Sequence, residues 1–156
     1  MLNRVKNLLS KRLLKCLYFT LIQPYLDYGC ILWGDAKKKY LNPIAKLQNK
    51  ALRIINKVPY NADTANLYRH SRILKVTQLF KLQVCKYMYL LNNKMLNPDL
   101  NIFYTSNIDV HNHYTRQRSN LHIPLIRNEA LRRTLLFHGP DQWKQLPRII
   151  RCSNNI

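Results

Sequence analysis

The chain has 156 residues, of which 26 are Lys or Arg and only seven Asp or Glu, giving a formal charge of +19 at pH 7. Such an excess favours a polyanionic partner, because neutralising phosphates releases condensed counterions. With 47% hydrophobic residues, the chain is too apolar for a disordered basic tail, and its three glycines argue against Gly-punctuated barrels and Gly-rich phosphate loops.

At this length a single core can bury roughly 68–70% of the extended surface, so one domain with an appended tail is expected. The seven carboxylates are dispersed, the nearest two in sequence being Asp27 and Asp35. Phosphoryl-transfer sites gather carboxylates around metal ions. The chain therefore reads as built to hold nucleic acid, with no catalytic residue assigned and no cofactor, metal or small-molecule substrate expected.

Val5, Leu8, Leu9, Leu13, Cys16, Leu17, Thr20 and Leu21 recur at spacings of three and four. That period predicts an amphipathic helix to about Gln23, bent or restarted at Pro24. Tyr25, Tyr28, Ile31 and Leu32 continue the spacing, with Gly34 and Asp35 as the stop. Tyr18, Tyr25, Tyr28, Trp33 and Tyr40 are interleaved with Leu and Ile as an internal surface is, although aromatics can also stack on bases. The stretch Leu13 to Trp33 is interrupted by Lys15, Gln23, Pro24 and Asp27, so no membrane span is expected.

A second helix is predicted from Asn42, as N-cap, with Pro43 at the first helical position, to about Lys57. Its apolar stripe is Ile44, Leu47, Ala51, Ile54 and Val58. Lys46, Lys50, Arg53 and Lys57 line up at steps of four, three and four on another side. Such a row is either a solvated face or a track for a phosphate backbone. No acid lies between Asp35 and Asp63 to make it a salt-bridged surface.

Asp63 or Thr64 caps a short helix through Tyr68, and a long helix is expected from Val76 to about Leu91 on a face of Leu79, Phe80, Val84, Tyr87 and Leu91. From Asn97 to Ser119 the period is lost, as in a loop with short extended pieces. Asn128 to Phe137 reads as a helix ending at Gly139 in a left-handed conformation, with Pro140 blocking continuation. Arg116, Arg118, Arg127, Arg132 and Arg133 form a second basic group, unbalanced except for Glu129, and arginine's planar fork suits phosphate oxygens.

The domain division read from this pattern is a helical domain over 1–96, a linker over 97–123 and a basic C-terminal region over 124–156 that packs back on the helices. The fold class is mainly α. Cys16, Cys30, Cys85 and Cys152 contain no Cys-x-x-Cys pair and read as buried reduced thiols. Lys11 and Arg12 split any signal-peptide apolar region and no Asn-x-Ser/Thr acceptor occurs, so an intracellular location, nuclear or cytoplasmic, is expected. His111 and His113 with His122 lack acidic or Cys partners for a metal. The run His111-Asn112-His113 only spells the name of a nuclease class whose three residues are widely separated.

The segment Leu17 to Gly34, LYFTLIQPYLDYGCILWG, followed by LQNKALRII from Leu47 to Ile55, resembles the region after the palm in reverse transcriptases of non-LTR retrotransposons, jockey-like and CR1-like. The family pattern is Leu-Tyr-x-x-Leu-Ile-x-Pro-x-Leu-x-Tyr-Gly, then Trp-Gly, then Leu-Gln-x-Lys-Ala-x-Arg-x-Ile. His111, Thr115 and Arg116 resemble a His-Ser-Tyr-Asn-Thr-Arg string, and Gly139-Pro140-x-x-Trp143-x-x-Leu146-Pro147 resembles a near-terminal block. The order of the blocks carries the weight. His113-Tyr114 and Lys144 depart from the pattern, which has Tyr-Asn and Asn there.

The resemblance implies a thumb-like helical bundle and C-terminal part of such a polymerase. The family's catalytic aspartates lie in the palm, and no Phe/Tyr-x-Asp-Asp occurs here. The implied partners are the backbone of RNA or an RNA/DNA hybrid and the palm of the parent polymerase, toward which an apolar patch is expected. Met1 reads as a fortuitous start in a 5′-truncated element. Two rivals remain: a free-standing basic helical nucleic-acid binder of ribosomal or chromatin type, and a protein lying on anionic lipid. Upstream genomic sequence discriminates the first.

Overall fold

A computed structural model describes residues 2–151. The architecture is mainly helical, with no strand among the described residues and one isolated antiparallel bridge between Ser106 and Leu121. The chain divides into two compact units, Met1–Phe80 and Lys81–Ile156, the division falling inside a helix. Cys152 lies outside the described residues.

The first unit opens with α1 (Leu2–Val5), α2 (Lys11–Leu21) and α3 (Gln23–Asp27). The single long helix expected here is interrupted at Ser10, whose hydroxyl caps α2 by accepting from the Leu13 N–H at 3.4 Å. Pro24 restarts the chain as expected, in the first turn of α3, where its missing N–H costs nothing. Tyr28 (φ −61°, ψ 119°) and Gly29 (φ 60°, ψ 14°) then have the dihedrals of a type II turn, which needs the left-handed region at its third residue. Helix α4 (Cys30–Trp33) follows and stops at Gly34, against which Phe80 packs so closely that an added Cβ would lie 2.6 Å from its ring.

Helix α5 (Lys38–Asn56) begins four residues before the expected N-cap. Pro43 sits inside it and Asn42 caps nothing, because one missing N–H this near the start removes a single bond from the ladder. The buried face of α5 is Gln48, Ala51, Leu52 and Ile55, rotated from the expected stripe, and Leu47 is exposed. Helix α6 (Ala65–Ser71) and helix α7 (Val76–Asn92) follow. Asp63 accepts from the Ala65 N–H at 3.3 Å at the start of α6.

Leu14, Tyr18, Leu52, Ile55, Tyr68 and Ile73 form the core of this unit, α2 packing on α3 and α5, and α5 on α1 and α6. A buried Gln48 ties the elements together. Its Nε2 donates to Tyr18 OH and to the Leu74 carbonyl, both at 2.9 Å, and its Oε1 accepts from Tyr68 OH at 3.0 Å and Val76 N–H at 3.2 Å. All four hydrogen-bonding positions of the amide are used, so its burial is compensated.

Of the aromatics expected inside, Tyr18 is fully buried and Trp33 half-buried, its Nε1 donating to the Tyr28 carbonyl at 2.8 Å. Tyr25 and Tyr28 are exposed, a correction with a cause: the break at Ile22 and the turn at Tyr28-Gly29 change the helical phase; Tyr40, in the first turn of α5, is exposed as well. Ile44, Leu47 and Ile54, with Leu17, Leu21 and Tyr25, line an open apolar groove of about 540 Å³. The stripe expected to be core is thus its wall. Cys30 is buried and Cys85 half-buried, but Cys16 is exposed, on the solvent side of α2.

In the second unit a 3-10 helix (Pro98–Phe103) and α8 (Asn107–Val110) occupy the stretch read as irregular, before α9 (Glu129–Arg132), α10 (Leu135–Gln145) and α11 (Arg148–Arg151). Gly139 does not end a helix, contrary to the expectation. Helix α10 runs through Gly139 and Pro140 to Gln145, and an added Cβ at Gly139 would lie 2.6 Å from the Met88 sulfur. Close packing, not a left-handed backbone, requires that glycine. Trp143, in the block that resembles the near-terminal family pattern, is buried.

Candidate nucleic-acid interface

Lys46, Lys50 and Arg53 follow one another along α5, Lys46 and Lys50 exposed and Arg53 half-buried. Arg53 is held from two sides. Its Nε donates to the Ala62 carbonyl at 2.9 Å and its guanidinium carbon lies 5.5 Å from the Tyr60 ring centre, a cation–π arrangement. Among the described residues the two terminal nitrogens make no further hydrogen bond, so their donors are held in place for a ligand.

Lys57 lies just beyond the helix in the left-handed region, φ 55° and ψ 37°. Its N–H donates to the Ile54 carbonyl at 3.1 Å and the Val58 N–H to the Arg53 carbonyl at 3.1 Å. This pattern closes a helix and normally carries glycine at the left-handed position. A lysine there leaves the helical track, so the row bends at its end.

The bend places Lys57 beside Lys50 and Arg53 around an open concavity of about 370 Å³, whose wall is completed by Lys6, from the connection between α1 and α2, and by Tyr60. Asn3 and Asn7 add amide groups to the rim. Lys46 is outside it. No ion pair among the described residues involves Lys6, Lys50, Arg53 or Lys57. Four formal cations therefore share one depression with no carboxylate in its lining.

The second basic group is spread over separate elements. Arg116 and Arg118 lie exposed on the connection after α8, Arg118 5.1 Å from the Tyr114 ring centre. Arg116 borders a shallow depression with Asn107, His111 and His113. Arg132 donates through Nε to the Ile126 carbonyl at 2.8 Å, and Arg133 pairs with Glu129 one helical turn away. Arg127 is exposed.

His111 and His122 meet edge to face, ring centres 5.7 Å apart, with His122 Nδ1 3.2 Å from Asn107 Oδ1. Among the described residues no group of three or more His, Cys, Asp or Glu side chains is disposed to hold a metal ion. No helix among them is long and apolar enough to cross a membrane.

Lys6 and Tyr60 were not singled out by periodicity. Lys6 is distant in sequence from α5, and only the docking of α1 on α5 brings it there. The one hint in the sequence is the spacing of Asn3, Lys6 and Asn7, one polar edge beside the apolar Leu2, Val5 and Leu9.

Comparison with known proteins bears on what this surface serves. The chain is 31% identical over 87 residues, 56% of its length, to a probable RNA-directed DNA polymerase from transposon BS of Drosophila melanogaster. It is 34% identical over 76 residues, 49% of its length, to the RNA-directed DNA polymerase from mobile element jockey of the same organism. About half of the chain is thus a reverse-transcriptase-related region. The chain spans 10% and 8% of the lengths of these relatives. No family model matches the chain, and no solved structure does.

Proposed function

We propose that the chain is a thumb-like fragment of a non-LTR retrotransposon reverse transcriptase that holds the sugar-phosphate backbone of RNA or an RNA/DNA template–primer without catalysing polymerisation itself. The gripping part is placed in residues 1–96, and the catalytic carboxylates belong to the palm of the parent enzyme. The observation that carries the reading is the basic row of α5, Lys46, Lys50 and Arg53 with Lys57 at its end, none of them ion-paired among the described residues. The similarity of about half the chain to RNA-directed DNA polymerases supports the choice of ligand. Arg116, Arg118, Arg132 and Arg133 are secondary backbone contacts in this reading, with Arg133 the weakest because Glu129 already occupies it.

Contacts of this kind act on phosphates, so binding is independent of sequence and steep in salt. The test is a titration of the full chain with a labelled RNA/DNA duplex over a range of salt. Changing Lys46, Lys50, Arg53 and Lys57 together to Glu is expected to abolish tight binding and to make the slope of log K against log salt shallower by about 3 to 4. An unchanged affinity and slope remove the row from the mechanism.

A further inference from the structure

The row read from the sequence treats its four cations as equivalent points on a line, whereas three of them turn inward around a depression that Lys6 completes. A line of cations suits a duplex passing by. A depression with cations on several sides suits a single group that can be surrounded. Its volume of about 370 Å³ falls at the lower end of the roughly 300–1,000 Å³ of small-ligand sites.

The lining specifies the chemistry of that group. Lys6, Lys50, Arg53 and Lys57 contribute four formal positive charges and the lining contains no Asp or Glu. One phosphodiester carries a single negative charge, but a phosphomonoester carries about 1.5 to 2 at pH 7 and offers three strong acceptor oxygens. Arg53 is preset to meet it, because the Ala62 carbonyl and the Tyr60 ring fix its guanidinium while the terminal nitrogens stay unspent. Tyr60 itself is 78% exposed. A base can lie on a tyrosine ring at the edge of a phosphate site regardless of its identity, since every base has a π-face.

We propose that this concavity is a nucleotide site, in which a terminal phosphate sits among Lys6, Lys50, Arg53 and Lys57 and the adjoining base lies on Tyr60. The chain then holds a phosphorylated strand end in addition to passing backbone. The proposal rests on the nucleic-acid reading above and deepens it.

The experiment uses the full chain, adenosine monophosphate and adenosine as small probes, and a short single-stranded RNA with or without a 5′ or a 3′ phosphate. Binding is followed by tyrosine fluorescence and by amide shifts. Adenosine monophosphate is expected to bind and to shift residues around Tyr60, adenosine is not, and a phosphate on one strand end is expected to raise affinity at least fivefold. Lys6→Glu and Tyr60→Ala should each erase most of that gain, whereas Lys46→Glu should leave it and weaken only duplex binding. Circular dichroism of each variant establishes that it folds.

Equal affinity for phosphorylated and unphosphorylated strands overturns the site. So does a gain that Lys6→Glu leaves intact. If in either case Lys46→Glu still weakens duplex binding, the backbone-binding reading survives; if the unchanged chain binds neither duplex nor strand, both fall.

Discussion

Tyr18 and Gln48, 30 positions apart, meet in the interior with the Gln48 amide donating to the tyrosine hydroxyl at 2.9 Å. Each belongs to a different sequence block of the resemblance, the Leu-Tyr of α2 and the Leu-Gln of α5, so the two blocks are joined by one hydrogen bond. The same amide reaches the Leu74 carbonyl, the Tyr68 hydroxyl and the Val76 N–H. It fixes the position of α5, and with it the basic row, against α2, α6 and the start of α7. Gln48→Leu preserves bulk but leaves several buried groups unpaired and is expected to cost about 3 kcal/mol. Tyr18→Phe removes one partner and should cost about 1 kcal/mol. Urea denaturation of both and of the double variant measures this; a neutral Gln48→Leu shows that the amide holds nothing together.

Two glycines of the same sequence block are required for different reasons, and substitution separates them. At Gly29 an added Cβ meets nothing nearer than 3.7 Å, but φ is +60°. At Gly34 the backbone is ordinary, yet the Cβ would lie 2.5 Å from the Cys30 carbonyl oxygen and 2.6 Å from the Phe80 ring. Asn tolerates the left-handed region and Ala does not, so at Gly29 the Ala variant should be the worse, by about 1 kcal/mol. At Gly34 the order should reverse, with Ala costing about 2 kcal/mol and Asn more. Thermal melts of the four variants decide it, and the same rank order at both sites contradicts the assignment.

Much of the helical layout was legible because period and punctuation agree where one element decides its own limits. Val76 to Leu91 was readable almost to its end, since a steady apolar face and the following Asn and Pro residues all point the same way. The start of α5 was not. Asn42-Pro43 has the form of a cap, and nothing local says that Lys38 to Leu41 adds a further turn ahead of it. Phase failed where the core uses a polar residue. Counting only apolar positions passes over Gln48 and turns the inferred stripe toward Ile44 and Leu47, whereas the buried side is Gln48, Ala51, Leu52 and Ile55. The composition of the basic row could be read from spacing; its bend at Lys57 and its completion by Lys6 depend on a backbone dihedral and on helix docking, which spacing does not encode.

Buried acids that ionise only in the unfolded chain make stability fall with rising pH. Burial pushes the Tyr68 hydroxyl from 10.0 up to about 12, the nearby Tyr18 adding to the shift and Arg53 opposing it. Burial also raises Cys30 from 9.0 to about 11, with the Asp27 charge contributing, and raises Tyr18, against the Gln48 hydrogen bond. Because the folded values are the higher ones, this stability is complete below about pH 9 and is lost as pH rises through 11 to 12. Urea midpoints at pH 8.5, 10 and 11 should decline steadily, and Cys30→Ala should flatten the decline between pH 9 and 11. A midpoint independent of pH over that range refutes the assignment of these groups as buried and neutral.

Lys57 joins a stability cost to a binding role, so one substitution should move the two in opposite directions. Its φ of 55° puts a side chain where glycine is usual, at a cost of order 1 kcal/mol. Lys57→Gly relieves that strain and, after the entropy glycine adds to the unfolded chain is set against it, is expected to raise stability by roughly 0.5 kcal/mol. It also removes one cation from the concavity and should make the salt dependence of duplex binding shallower by about 1. Lys57→Asn, which accepts the left-handed region with less strain than lysine, should lie between in stability while losing the same charge. Melting temperature and salt slope measured on the three proteins test both halves. A glycine variant that is less stable than the parent shows that the helix end is unstrained, and one that binds with an unaltered slope shows that Lys57 touches no phosphate.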